Sequence, residues 1–104
     1  MKIIRLYKEM IKKNEYVISK QLLRSGTSIG ANVHEAQAAQ SKKDFALKMT
    51  IASKEARETK YWLLLLQKSE LISGIESHLA QMLHEIDEIV QIITKIVKTS
   101  RKSL

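Results

Sequence analysis

The chain has no cysteine, which excludes disulfides, thiolate metal sites and thiol nucleophiles together. It has no proline and only three glycines, Gly26, Gly30 and Gly74, in 104 residues. Proline is the strongest helix breaker and strands need turn residues between them, so this shortage favours a few long helices over a sheet. Aromatic residues are scarce as well, one Phe, one Trp and three Tyr, which leaves little to build stacking platforms for bases. Long apolar runs are missing too. The longest, Tyr61 to Leu66, is far shorter than the roughly 20 residues that span a bilayer. The N-terminus alternates charged and apolar residues and carries no leader pattern, so a soluble, cytoplasmic protein is expected.

Acidic residues are also in short supply. Eighteen Lys and Arg stand against eleven Asp and Glu, a formal net charge of +7. The excess is uneven. Residues 1–24 carry seven cations against two acids, residues 25–41 carry only Glu35, residues 42–70 carry seven against four, and residues 71–104 carry four against four. Such a balance suits an anionic partner, nucleic acid first, although basicity alone also serves solubility.

The length fits one small domain over residues 1–104. Apolar spacing divides it into four helical segments. In the first, about residues 2–13, Ile3, Ile4, Leu6, Tyr7, Met10 and Ile11 share one side, and Lys2, Arg5, Lys8 and Lys12 form a basic stripe on the other, with Lys13 at the end. The second runs over about 19–40, with Ser19 as its expected N-cap. The third opens on Ser41-Lys-Lys-Asp44, a capping-box spacing, and runs to about Lys68. Phe45, Met49, Ala52, Ala56, Thr59, Leu63 and Leu66 repeat along it at 4,3,4,3,4,3. The fourth opens on Ser73-Gly-Ile-Glu76 and runs to about Lys98, with Ile75, Leu79, Met82, Ile86, Ile89, Ile93 and Ile96 at the same spacing. Short connections make neighbours antiparallel, so the expected fold is all-α, an antiparallel up-down four-helix bundle.

The third segment has a further apolar face, Leu47, Ile51, Trp62 and Leu65, away from its seam. A lone bundle helix needs one buried stripe, so this face points to an interface with another subunit, or else to a wide stripe packed against two neighbours.

Letters that suggest chemistry do not assemble into a site. Di-iron bundles use Glu-x-x-His pairs, whereas Ala31, Ile75 and Gln81 stand three before His34, His78 and His84, so no metal site is expected. On a helix His34 lies about 120° from Ser28 and nearly opposite Ser25, so neither serine gains a base within that helix, and no catalytic residue is nominated. Gly26-x-x-x-Gly30 matches neither a P-loop nor a dinucleotide fingerprint. No enzyme activity and no cofactor are expected. Each glycine in a helix costs about 1 kcal/mol relative to alanine, so both are expected to admit a neighbouring backbone closely. Arg24, Ser28, Asn32 and Glu35 form a polar strip whose expected role is structural, with Glu55 and Glu58 of the third segment as partners.

"QLLRSGTSIGANVHEA" followed by "SKKDFALKMTIASKEARE" resembles the four-helix-bundle family of 23S rRNA intervening-sequence proteins. The resemblance rests on Gln21, Arg24, Ser28, Ile29, Asn32 and Glu35, then Ser41, Asp44, Phe45, Ile51, Ala52 and Glu58. The chain departs from the family pattern at Lys54 and Glu55, where small residues are usual, and at Ala36, where glycine is usual. The resemblance implies a ring-like homopentamer of antiparallel bundles without established catalytic residues. It also implies distant kinship with accessory proteins of diversity-generating retroelements, which bind a reverse transcriptase and nucleic acid. The function expected is a non-enzymatic, oligomeric accessory protein that contacts RNA or DNA backbone through Lys2, Arg5, Lys8, Lys12, Lys13, Lys42 and Lys43. The alternative is a protein-binding scaffold with no nucleic-acid role.

Overall fold

The computed structural model describes residues 2–12, 15–69 and 74–104. Four helices follow one another: α1 (Lys2–Lys12), α2 (Val17–Gln37), α3 (Lys42–Ser69) and α4 (Glu76–Lys102). They form an all-α four-helix bundle drawn out to 46 × 19 × 18 Å. α2, α3 and α4 run most of its length, whereas α1, at eleven residues, lies along only part of it.

The helix starts differ from expectation in instructive ways. Ser19 does not cap α2. It lies inside the helix, fully buried, and its hydroxyl donates to the Tyr16 carbonyl at 3.0 Å. The start is held by Glu15, whose Oε1 accepts the Ile18 N–H at 2.7 Å, and a carboxylate also suits the positive end of the helix dipole. α2 ends at Gln37, not near 40. α3 begins as its motif predicts: Ser41 Oγ accepts the Asp44 N–H at 3.0 Å. α4 begins at Glu76 after Ile75, with no side-chain cap bond at Ile75. Gly74, at φ 87°, makes the turn into it, and its N–H donates to the Glu76 carboxylate at 3.0 Å. Ser73 lies outside the described residues, as does Lys13.

The core is two clusters, one toward each end of the bundle, with the half-buried Ile29 packed against both. At one end Leu6, Met10, Ile18, Leu22, Leu63 and Leu79 pack together. At the other Ala36, Met49, Ala52, Ile93 and Val97 do. The α3 seam is buried from Met49 to Leu66, with Phe45 half-buried at its start. The α4 seam drifts. Ile75, Leu79, Met82, Ile86 and Ile93 are buried, but the next buried position is Val97, not Ile96, and Ile89 stays 38% exposed. A strict seven-residue repeat slips by about 20° per heptad on a straight helix. Over the length of α4 this turns Ile89 and Ile96 off the axis and brings Val90 and Val97 toward it.

The two glycines of α2 are not equivalent. Gly26 is buried, and a Cβ there would sit 2.9 Å from Ile3 Cγ1, so the missing side chain is what lets α1 lie against α2. Gly30 is exposed and a Cβ there would meet no atom within 4 Å. Among the described residues, the close approach expected at Gly30 is not made.

Candidate nucleic-acid interface

The cations named by the sequence do not form one patch. Lys2 pairs with Glu85 across the bundle and Lys12 with Glu9 at 3.7 Å, so two of the four α1 stripe residues are matched by acids. Arg5 and Lys8 are exposed beside them. Lys42 and Lys43 are exposed on the first turn of α3, at the opposite end of the bundle, where Lys42 lines a depression with Phe45, Ser100 and Ser103.

A more concentrated set lies between α3 and α4. Lys54 and Arg57 of α3 face Lys98 and Arg101 of α4 across a groove of about 400 Å³ that Thr50, Ser53, Thr94 and Val97 also line. The two arginines reach across it reciprocally. Arg57 Nη2 donates to Thr94 Oγ1 at 3.2 Å, and Arg101 Nη2 donates to Thr50 Oγ1 at 3.4 Å. Among the described residues none of these four cations has an acidic partner within salt-bridge distance. Guanidinium groups held at a hydroxyl keep further N–H donors for an anion, and the lysines add mobile point charge. The arrangement can hold phosphate oxygens. It offers no nucleophile–base pair.

The charge of residues 71–104 sums to zero, which hides this groove in the sequence. On α4 the signs are separated: Glu76, Glu85, Asp87 and Glu88 come first, and Lys95, Lys98, Arg101 and Lys102 follow at 3,3,1 spacing. Folding then sets the basic half of α4 beside the basic stretch of α3. By sequence, residues 29–57 and 94–104 carry nine Lys and Arg against three acids, while the rest of the chain carries nine against eight.

The polar strip of α2 breaks into three separate units. Arg24 is the centre of the first: it donates to Gln21 Oε1 at 3.3 Å and to Glu55 Oε2 at 3.1 Å, and also pairs with Glu58. Glu58 in turn accepts the Trp62 Nε1–H at 3.3 Å. Ser28 and Asn32 form a local pair, in which Asn32 Nδ2 donates to the Ser28 carbonyl at 2.9 Å and hydroxyl at 3.1 Å. Glu35 joins neither and instead pairs with Lys48 at 2.9 Å. That hydrogen bond and the Glu35 charge hold the Lys48 ammonium above the ordinary lysine pKa. Deeper in, Ser25 and Thr59 meet at 2.9 Å, fully buried. Thr59 Oγ1 lies 2.8 Å from the Glu55 carbonyl, which can only accept, so Thr59 gives its proton there and Ser25 donates to Thr59.

On the outer side of α3, Leu47 is 56% exposed and Leu65 37%, while Ile51 and Trp62 are half-buried. Trp62 packs against the core and stands edge-on to Tyr61, ring centroids 5.1 Å apart. The four residues therefore do not share one environment: Leu47 and Leu65 are surface, and Trp62 is partly structural. Among the described residues no group of three His, Asp or Glu side chains converges as a metal cage, and His84 meets only Glu88, one turn on, in a largely exposed pair.

A family model described as 23S rRNA-intervening sequence protein matches residues 1–95. The chain belongs to the 23S rRNA-intervening sequence protein family. A solved structure of a protein of unknown function from the S23 ribosomal protein family of Bacteroides thetaiotaomicron VPI-5482 is 46% identical to it and superposes with a TM-score of 0.85. The match covers 92% of this chain and 88% of that one. No curated protein matches. Neither description names an enzymatic activity. For this member of the 23S rRNA-intervening sequence family, no helix among the described residues is long and apolar enough to cross a membrane.

Proposed function

We propose that this protein is a non-enzymatic, oligomeric accessory protein that binds RNA or DNA through the phosphate backbone, with the α3–α4 groove as its principal contact. The observation that carries the reading is the set of four cations, Lys54, Arg57, Lys98 and Arg101, gathered around hydroxyls and, among the described residues, without an acid within salt-bridge distance. Cations already neutralised by carboxylates, such as Lys2 and Lys12, release fewer counterions and contribute less. Lys42 and Lys43 extend the basic surface at the same end. Binding of this kind positions a backbone without reading bases. Self-association is proposed through the outer face of α3 around Leu47 and Leu65, and the resemblance makes a ring of five the expected assembly. A reverse transcriptase or another nucleic-acid enzyme is the protein partner this role would serve, in the cytoplasm.

The test is fluorescence anisotropy with a labelled 20-nucleotide single-stranded RNA across a salt series. Four phosphates neutralised per protomer give a slope of log Kobs against log salt near −3, at about −0.7 per phosphate on a single strand. Replacing two cations, Arg57→Gln with Arg101→Gln, is expected to flatten that slope by about 1.4. Lys8→Gln with Lys12→Gln, at the other end of the bundle, is expected to leave it unchanged. Absence of binding at low salt refutes the nucleic-acid role. A slope that responds to the α1 pair and not to the groove pair refutes the site. If the protein is instead a scaffold, a pull-down recovers one protein partner after nuclease treatment.

A further inference from the structure

The α3–α4 groove is built twice from the same residue types. Its α3 wall reads Thr50-x-x-Ser53-Lys54-x-x-Arg57, and its α4 wall reads Thr94-x-x-Val97-Lys98-x-x-Arg101. Threonine, lysine and arginine stand at the same offsets in both, and only Ser53 against Val97 differs. On a helix, equal offsets give equal rise and equal rotation, so each wall presents the same row of side chains. From Thr50 to Arg57, and from Thr94 to Arg101, is seven residue steps, about 10 Å of helix.

Antiparallel packing turns this repeat into a two-fold arrangement. Two like rows that run in opposite directions are exchanged by a half-turn about an axis through the middle of the groove. The arginine–threonine bonds that cross the groove obey the exchange. Arg57 reaches Thr94 at 3.2 Å and Arg101 reaches Thr50 at 3.4 Å, each arginine going to the threonine that begins the opposite row. Lys54 and Lys98 fall near the middle of their rows, and the two arginines fall at opposite ends. The order along the groove is therefore one guanidinium, two ammoniums and one guanidinium. All four cations are exposed, whereas Val97 is buried and Ser53 half-buried, so the one unequal pair lies beneath the charged row.

Resting on this groove as the nucleic-acid contact, we propose that it is a pseudo-two-fold site that holds four successive phosphates of one strand and accepts that strand in either 5′ to 3′ direction. A stacked strand rises about 3.4 Å per nucleotide, so four phosphates cover about 10 Å, the length of the rows. The outer phosphates lie against Arg57 and Arg101, and the inner two against Lys54 and Lys98. The polarity of a strand resides in its sugars and bases. The unesterified phosphate oxygens, which are all that these cations contact, recur alike along both directions. A half-turn of the strand therefore returns each phosphate to a donor of the same kind: guanidinium forks at the ends and point charges in the middle.

The probe is a five-nucleotide oligoadenylate, which has four phosphodiesters, carrying a nitroxide at its 5′ or its 3′ end. It is titrated into the isotope-labelled full chain at low salt and followed by NMR. At this length a slip of one nucleotide takes a phosphate off the groove, which limits blurring by register. The amide signals of Thr50, Lys54, Arg57, Thr94, Lys98 and Arg101 are expected to shift. Either label is expected to broaden the Arg57–Thr94 end and the Arg101–Thr50 end to similar extents. In the 20-nucleotide salt series, Arg57→Gln and Arg101→Gln made singly are expected to flatten the slope equally, by about 0.7 each. A 5′ label that broadens one end while the 3′ label broadens the other overturns the two-way site and leaves the groove as the place of binding. A slope that falls in one single variant and not in the other overturns it as well. So does an oligoadenylate that shifts no groove amide, and the salt slope of the double variant then decides whether the groove fails with it.

Discussion

Alanine at the two glycines of α2 should move stability in opposite directions. The helix-propensity gain is the same at both, about 1 kcal/mol in favour of alanine. At Gly30 no described residue opposes it, since the added carbon meets none of their atoms within 4 Å. At Gly26 the new Cβ would stand 2.9 Å from Ile3 Cγ1, 3.0 Å from Cδ1 and 3.2 Å from Cγ2. Isoleucine is branched at Cβ and stiff about χ1, so no rotation clears both γ carbons and α1 itself must shift. Overpacking of that kind costs about 1–3 kcal/mol. Gly30→Ala is therefore expected to stabilise by about 1 kcal/mol, and Gly26→Ala to destabilise by about 0–2 kcal/mol after the propensity gain. In a domain of this size 1 kcal/mol corresponds to roughly 4–8 °C in the thermal midpoint, so the two variants should separate clearly in thermal and urea denaturation at matched concentration. Ile3→Ala combined with Gly26→Ala should recover most of the penalty, since it removes the obstructing carbons. Equal responses at the two glycines, or no recovery in the double variant, would refute the argument that Gly26 exists to seat α1.

The buried Ser25–Thr59 pair predicts an asymmetry. Thr59→Val leaves the Ser25 hydroxyl without its acceptor and should cost about 1–3 kcal/mol by urea denaturation, whereas Ser25→Ala leaves Thr59 bonded to the Glu55 carbonyl and should cost less. Arg24→Lys should lose most of what Arg24→Ala loses, because a single ammonium cannot serve Gln21, Glu55 and Glu58 together, and the loss should shrink as salt is added. Lys48 titrates above the ordinary lysine value of 10.5 because of Glu35, so the stabilisation from this pair is complete below that value and is lost as pH rises through the raised one. NMR titration of the Lys48 side chain should show its midpoint falling in Glu35→Gln. Leu47→Glu should shift the light-scattering mass toward the monomer without lowering helicity, because that side chain is already 56% exposed. Trp62→Glu, by contrast, should destabilise the fold, since its ring packs on the core.

The four helices and the α3 seam were legible because periodicity is local and α3 keeps its seven-residue register where its neighbours need it. The α4 seam was legible through Ile86 and again at Ile93, but not at Ile89 and Ile96. Along the helix the slip between 3.5 and 3.6 residues per turn accumulates, and only the packing decides between Ile96 and Val97. The cap at Ser41 followed from its spacing, while Ser19 misled because a serine that bonds back to a carbonyl inside a helix looks in sequence like one that starts a helix. The α3–α4 groove was not legible. Its cations are more than 30 residues apart in the chain and meet only through an antiparallel pairing whose register no single segment records. The same holds for Glu35, whose partner Lys48 comes from the turn of α3 that the register places opposite.

The lopsided charge along the bundle constrains any higher assembly. Residues 29–57 and 94–104 hold an excess of six positive charges, nine against three, at one end of a 46 Å rod. Under cyclic symmetry about an axis parallel to the rods, every protomer points the same way. Like ends then gather on a single rim, and the assembly becomes a disc with one cationic face and one nearly neutral face. Under dihedral symmetry the rods alternate and the faces cancel. A cyclic particle would settle on a polyanion with one face only, and its opposite face would stay free.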